Sequence, residues 1–429
     1  MIGVVADDIT GANDIGIMFA KSNYVTHVYP FEPGAAFRAQ GGPDVVILDT
    51  DSRFDSAKTA YDKAYAATRQ LADSGCTFFY NKTCSVFRGN VGAEFDAMLD
   101  ALGESFMIVV LGFPKNGRTT VDGIHYVHGR KLEESEFRHD PVHPMRRSDL
   151  VGILQAQTRR SVERIGRETV ERGAEALREA IAARKANGPG GYLLLDVTDQ
   201  AALAAIAEAV RGERVVGGSS ALAEELALAW GAKPAGEASR LPLAKRDGVG
   251  ILCAAGSLMP QTAAQIAELK RTGVAGFELD TMRLLDEASR EAEIGRLTAE
   301  LSAVLEQGRN ALYHSSNEAE RVARTKEAGA RAGLTNTDVS RLVSGAIAEI
   351  AARVLERTGE NRLLVAGGDT SAAVCARLGV KGMRVWKEIE SGLPSCVSLS
   401  DRPVLLVLKS GSFGKPDFFV RALEHLKTQ

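Results

Sequence analysis

Ile2-Gly3-Val4-Val5-Ala6-Asp7-Asp8-Ile9-Thr10-Gly11-Ala12-Asn13-Asp14 is an apolar strand that stops on two adjacent carboxylates, followed at once by a helix start. That order places Asp7 and Asp8 at the carboxyl end of a strand, where open α/β sheets bind ligands. Adjacent acids there can accept hydrogen bonds from hydroxyls, take a proton or hold Mg²⁺. An Asp also caps helix N-termini, but capping accounts for one of these acids better than for two.

The same alternation runs outward through the chain. The first half predicts strands at 2–6, 25–29, 45–49, 76–80, 106–111, 192–196 and 214–217, with helices at 56–73, 91–102, 162–186, 199–210 and 219–229. Many of these strands are continuous apolar runs, as strands buried on both faces of a parallel sheet must be. Residues 231–247 carry two Pro and two Gly without a clear period, which marks a crossing segment and a candidate hinge. Beyond it, strands are predicted at 249–254, 275–279, 310–315, 362–366, 383–389 and 404–408, and helices at 260–272, 288–307, 339–358, 370–378 and 415–427. The fold class read from this is α/β with two domains, 1–235 and 245–429. Each has a mostly parallel sheet flanked by helices, and the active site is expected in the interdomain cleft.

Composition narrows the function. The chain has 429 residues, 45% apolar and 25% charged, which is ordinary for a globular protein. A net charge of −3 with no basic block argues against nucleic acid as a partner. No apolar run approaches the roughly 20 residues that span a bilayer, so no membrane partner is expected. Asp7 interrupts the first apolar run and no basic region precedes it, so no secretory signal is read. The five Cys are scattered and form no C-x-x-C pair, which fits a reducing, cytoplasmic location. A homodimer is left open.

The second half carries three small-residue turns between a strand and a helix. They are Cys253-Ala254-Ala255-Gly256-Ser257, Gly367-Gly368-Asp369-Thr370 and Lys409-Ser410-Gly411-Ser412-Phe413-Gly414. Glycine allows close approach, and N–H groups at a helix start favour a phosphate. Asp369 beside such a phosphate would hold Mg²⁺ or accept the proton of an attacking hydroxyl, and Thr370 would cap the helix or bond a phosphate oxygen. A tight turn with a capping acid is the plainer reading of any one of them. Neither G-x-x-x-x-G-K-[ST] nor G-x-G-x-x-G occurs at these turns, which excludes a P-loop NTPase and a simple Rossmann dehydrogenase.

Strand ends in the first half repeat another chemistry: Asp49-Thr50-Asp51-Ser52-Arg53, then Asn81-Lys82-Thr83-Cys84-Ser85-Val86-Phe87-Arg88-Gly89-Asn90, then Pro114-Lys115-Asn116-Gly117-Arg118-Thr119-Thr120. Each pairs a cation with short hydroxyl or amide side chains. Arg grips a carboxylate through two parallel hydrogen bonds, and Asp accepts from hydroxyls. A small hydroxylated carboxylic acid suits the set. Cys84 between Lys82 and Arg88 could carry a lowered pKa, but no partner base is evident, and a packed thiol is the better reading. His125, His128, His139 and His143 cluster in sequence, yet His125 to His128 reads as a strand that points them to opposite faces, so no metal site is assigned.

Together these stretches resemble the four-carbon acid sugar kinase family, bacterial enzymes that phosphorylate tetronates such as threonate. The matching residues are Ala6 to Ala12, Asp49 to Arg53, Lys82 to Asn90, Gly117-Arg118-Thr119, Gly256-Ser257, Gly367 to Thr370 and Lys409 to Gly414, in the family's order. The resemblance implies an N-terminal domain for the sugar acid and a C-terminal domain for ATP. It implies acid-binding roles for Asp7, Arg53, Lys82, Thr83, Cys84 and Ser85, with Arg88 nearby, and nucleotide contacts at Ser257, Gly367, Gly368, Asp369, Thr370 and Gly411. From the chemistry of the residues themselves, Asp8 is expected with Asp7 at the substrate hydroxyls, Mg²⁺ is expected on the phosphate oxygens, and Asp369 and Asp7 are the expected catalytic acids. The expected reaction is transfer to the terminal hydroxyl of D-threonate or a related tetronate. A sensor without transfer activity and a nicotinamide-dependent dehydrogenase are the alternatives. Where many members have Ile-Asp after the lysine and Thr-Leu before the arginine, this chain has Thr83-Cys84 and Val86-Phe87, which leaves the particular tetronate open.

Overall fold

The computed structural model describes residues 1–34, 37–140, 142–188, 190–234, 243 and 248–429. The chain divides into two units, Met1–Ala238 and Ser239–Gln429. Most of the 231–247 segment, together with Pro141 and Pro189, lies outside the described residues.

In the first unit the strands are β1 (Ile2–Ala6), β2 (Thr26–Pro30), β3 (Val45–Asp49), β4 (Phe78–Lys82), β5 (Phe106–Val110), β6 (Arg118–Val121), β7 (Ile124–Val127), β8 (Arg130–Lys131), β9 (Ser161–Ile165), β10 (Gly191–Leu195) and β11 (Val215–Gly218). Its helices are α1 (Ile9–Ala20), α2 (Ala57–Asp73), α3 (Val91–Leu102), α4 (Leu150–Gln155), α5 (Arg167–Glu171), α6 (Ala174–Asn187), α7 (Gln200–Val210) and α8 (Ala221–Trp230). The main sheet runs β2-β3-β1-β4-β11-β5-β10-β9, with every neighbouring pair parallel. Its central strands are buried along their whole length, as the unbroken apolar runs require. From β1 the chain goes outward to β2, returns to β3, then crosses to β4 on the other side of β1. With right-handed crossovers, that reversal opens a crevice at the carboxyl ends of β3, β1 and β4.

Three expectations need correction. The strand predicted at 76–80 is Phe78–Lys82, because pairing to both β1 and β11 continues through Lys82, which removes Asn81 and Lys82 from the turn. The helix predicted at 162–186 is instead β9, α5 and α6. Residues 161–165 pair with β10, and Gly173 at φ +91° separates the two helices. Arg118-Thr119-Thr120 is not a turn but part of β6, in a small antiparallel sheet β6-β7-β8.

In the second unit the strands are β12 (Leu252–Ala255), β13 (Ala275–Leu279), β14 (Ala311–Ser315), β15 (Arg362–Ala366), β16 (Met383–Glu390), β17 (Leu393–Ser398) and β18 (Leu405–Lys409). The helices are α9 (Pro260–Arg271), α10 (Glu287–Glu306), α11 (Ala319–Arg331), α12 (Asn336–Thr358), α13 (Gly368–Arg377) and α14 (Phe418–Thr428). The order β13-β14-β12-β15-β18 is parallel, and β17 and β16 continue it antiparallel. β17 and α11 were not anticipated. α13 begins at Gly368 rather than at 370, so Asp369 and Thr370 stand inside its first turn. The strand predicted at 404–408 runs on through Lys409, whose side chain is fully buried. The chain reverses direction around β12 as it does around β1, so the crevice of this unit lies at the carboxyl ends of β12 and β15.

Candidate functional site

In the first unit, β1 ends on Asp7 and Asp8 with different tasks. Asp8 is the N-cap of α1: its carboxylate accepts from the Gly11 amide at 2.7 Å and from the Thr10 hydroxyl at 2.8 Å. Asp7 is not a cap. Arg53, from the turn after β3, grips it in a fork, Nε to Oδ2 at 2.8 Å and a terminal nitrogen to Oδ1 at 2.7 Å. The other terminal nitrogen of Arg53 reaches Asp8 at 2.5 Å. All three side chains are buried. Burial raises the Asp8 carboxyl, but Arg53 and Lys82 outweigh it and hold Asp8 below the usual carboxylate range. Burial lowers the Arg53 guanidinium, and Asp7 and Asp8 overcome that and raise it well above its ordinary value.

Lys82 projects from the end of β4 into the same place. Its Nζ lies 3.4 Å from Asp14 on α1 and donates to the Thr83 carbonyl at 3.2 Å. Gly11 is glycine for a steric reason: a Cβ there would lie 2.6 Å from Asp8 Oδ1 and 3.0 Å from Lys82 Nζ. The loop after β4 then wraps around Arg53. Phe87 is held at φ +56° with its ring buried against Phe95, and a Cβ on Gly89, at φ +100°, would lie 3.2 Å from the Arg53 Cγ. A bulky residue in the left-handed region costs on the order of 1–3 kcal/mol, a strain typical of sites where geometry is over-determined. Arg88 donates to Asp140 at 2.6 Å, to the Cys84 sulfur at 3.3 Å, and lies over the Phe137 ring. Burial raises the Cys84 thiol, but Arg88 and Arg53 pull it below its ordinary value.

The structure thus brings Asp7, Asp8, Arg53 and Lys82 into one buried cluster, with Cys84 and Arg88 beside it. Thr83 is fully buried, its hydroxyl without a partner among the described residues, and Ser85 turns its carbonyl to His125 Nε2 at 2.9 Å. His125 also meets Thr120 at 3.1 Å, and burial pushes it down to about 3, so the ring is neutral.

Two side chains that the motifs did not single out, Asp14 and Glu94, join the cluster with Asn81. Asp14 is buried next to Lys82, and burial raises it to about 6 despite that cation. Glu94, on α3, accepts from Ser52 at 2.7 Å; burial and the nearby Asp7 raise it to about 8, so it is mostly protonated at neutral pH. Among the described residues the Asn81 amide oxygen and Asp14 Oδ1 have no partner. Buried polar atoms without partners usually mark a bound molecule or water. Asp14 was accessible to helical periodicity, four residues after Thr10 on the same face. Glu94 carried no such signal, because it reads as an ordinary acid in a first turn.

In the second unit the three turns pack against one another. The Gly256 amide donates to Ala366 at 3.0 Å and the Gly367 amide to Lys409 at 2.8 Å, which locks neighbouring strand ends. A Cβ on Gly256 would lie 2.2 Å from Thr370 Oγ1, and one on Gly411 would lie 2.2 Å from Ser257 Oγ. Gly367, at φ +125°, is the N-cap of α13, so the expectation that Thr370 caps this helix is corrected: its hydroxyl packs between Gly256 and Gly367. Asp369 is exposed at the helix start. Lys409 Nζ is turned inward, donating to the Ser410 carbonyl at 2.7 Å, the Gly411 carbonyl at 3.0 Å and Thr262 at 3.1 Å, and burial lowers it to about 7. With those carbonyls engaged inside, Ser257, Gly367, Thr370 and Gly411 pack together as small residues at the N-terminus of α13, which begins at Gly368, and a helix N-terminus is suited to phosphate.

Comparison with known proteins gives both halves a class. Residues 2–226 match the model of a sugar-binding N-terminal domain and residues 252–419 that of a nucleotide-binding C-terminal domain. The 3-oxo-tetronate kinase of Pseudomonas fluorescens Pf-5 is 34% identical over 99% of this chain and 97% of its own. That of Cupriavidus necator H16 is 33% identical with the same coverage. A crystal structure from Salmonella typhimurium LT2, whose protein bears a provisional tRNA synthase name, superposes with a TM-score of 0.82 at 31% identity over 98% of both chains. Haemophilus influenzae protein HI1011 gives 0.72 at 29% identity over 99% of this chain and 100% of that one. With both domain models matched in order and full-length relatives above 30% identity, the chain belongs to the four-carbon acid sugar kinase family, a family of carbohydrate-acid kinases.

Proposed function

We propose that this protein transfers the γ-phosphoryl group of ATP to the terminal hydroxyl of a four-carbon sugar acid. 3-Oxo-tetronates, named for its relatives, and D-threonate are the first substrates to test. The observation that carries the reading is the buried Asp7–Arg53–Asp8 cluster with Lys82 beside it, at the strand reversal of a unit that matches a sugar-binding domain.

Arg53 has five N–H donors and spends three on Asp7 and Asp8. The remaining two, with Lys82 and Arg88, serve the substrate carboxylate. Asp8 and the unpartnered Thr83 hydroxyl and Asn81 amide oxygen serve its hydroxyls. Asp7 keeps both oxygens on Arg53, so its part is to fix the guanidinium. Asp369 is then the better proton acceptor or metal-side acid. Among the described residues no group of three or more His, Cys, Asp or Glu could hold a metal. That suits Mg²⁺, which commonly takes one or two carboxylates plus phosphate oxygens rather than an all-protein cage. The exposed Asp369 carboxylate beside Gly367 and Gly368 fits that role, and the ion would neutralise charge as the phosphoryl group moves. Transfer requires the hydroxyl and phosphorus to come within about 3–3.5 Å.

The test is coupled ADP release with ATP–Mg²⁺ over a panel of three- to six-carbon sugar acids. Turnover confined to four-carbon acids is the expected result. Binding of an acid and ATP with no ADP release would replace the kinase by a sensor.

A further inference from the structure

Beyond the three turns, the second unit holds a cavity of about 390 Å³, within the roughly 300–1,000 Å³ range of small-molecule sites. Its lining comes from the carboxyl ends of β13 and β14 and from α11: Leu279, Asp280, Met282, Ser316, Arg324 and Thr325 are the residues that matter. The register fixes where it stands. Ala255 pairs with His314, and Leu279 pairs with Ser315, so the end of β14 lies between the Gly256 turn and the cavity. With strands about 4.8 Å apart, the cavity stands one to two strand spacings, about 5–10 Å, from the Gly256 turn and two to three, about 10–14 Å, from the Gly367 turn after β15.

Its chemistry is mixed. Met282 offers apolar surface, being partly exposed despite its hydrophobicity, while Leu279 beneath is buried. The Thr281 and Thr325 hydroxyls meet at 2.7 Å. Asp280 accepts the Met282 amide through Oδ1 at 3.1 Å, and its Oδ2 has no partner among the described residues. Arg324 makes no ion pair among the described residues, whereas Arg321 is tied to Glu278 at 2.6 Å. Between the cavity and the Gly256 turn, the Ser315 hydroxyl is buried without a partner. Asp280 follows β13, which β14 separates from β12, and it lines the cavity at the carboxyl end of that strand.

We propose that this cavity receives the nucleoside end of the nucleoside triphosphate, base and ribose together. The base lies against Met282, and Asp280 accepts from the ribose hydroxyls. This rests on the kinase reading above and adds the location of the base.

The experiment uses full-length protein and ADP release at saturating sugar acid. Met282→Trp narrows the cavity from its partly exposed rim. Asp280→Asn removes the ribose acceptor but keeps the turn. Met282→Trp should raise KM for ATP about tenfold or more with kcat and the sugar-acid KM within about twofold, the pattern of lost ground-state binding. Inorganic tripolyphosphate, which lacks a nucleoside, should inhibit wild type and variant equally. Asp280→Asn should lose the wild-type preference for ATP over 2′-deoxy-ATP. Unchanged KM for ATP in both variants, with wild type active, overturns the cavity assignment and leaves the kinase reading standing. A wild-type protein that neither binds nor turns over ATP overturns both.

Discussion

Replacing Arg53 by Met should do measurable damage that depends on pH in a defined direction. Methionine nearly fills the space of the arginine stem, so charge is the main thing removed. What is left is two carboxylates, 2% and 8% exposed, that have lost hydrogen bonds of 2.8, 2.7 and 2.5 Å. Breaking a buried pair by removing one partner costs about 3–5 kcal/mol. With a urea m-value of about 2–3 kcal/mol/M, the midpoint of the first unit should fall by about 1–2 M. Trp230, packed on Phe19 and Phe78, reports that unit, and a Trp386→Phe background silences the second. The sign follows from Asp8, whose carboxyl is held low by Arg53 and Lys82 against burial. A depressed carboxyl contributes stability above its unfolded value of about 3.9 and loses it as pH falls through the folded value. In the variant that contribution is gone, so the deficit is full at pH 7 and narrows below about pH 4. A midpoint shift below about 0.3 M, or one equal at about pH 3 and pH 8, would refute the buried-cluster argument. Sugar-acid binding should be lost in the same protein while ATP affinity survives.

Other perturbations separate the two units. Gly256→Ala drives a methyl against Thr370 Oγ1, 2.2 Å away, and should weaken ATP binding about tenfold without altering sugar-acid affinity; isothermal titration with each ligand checks this. Asp369→Asn should lower kcat by about 10²-fold or more at nearly constant sugar-acid KM, and near-normal turnover would remove it from the transfer step. Glu94, raised from 4.5 to about 8, binds its proton more tightly folded than unfolded. Its contribution to stability therefore declines as pH rises between about 4.5 and 8, and Glu94→Gln should flatten that decline in thermal melts.

The strand Ile2–Ala6, its paired acids and the glycine turns at 256, 367 and 411 were legible in the linear chain, because buried parallel strands leave unbroken apolar runs and turns leave glycines. So were the alternation of strands and helices and the residues that carry the family resemblance. What the chain could not say is which acid caps and which pairs. Asp7 and Asp8 are neighbours of one type, and only Arg53, forty-five residues on from Asp8 and placed by β1–β3 pairing, tells them apart. The order Ser161–Ile165 looked helical beside an Ala-rich helix, and long-range pairing with β10 made it a strand. Glu94, Asp14 and Lys409 became unusual only when folding removed water from them, since burial and charge partners come from segments far apart in sequence. Local pattern fixed where backbone turns and charges occur; tertiary packing decided which charges meet and in what protonation state.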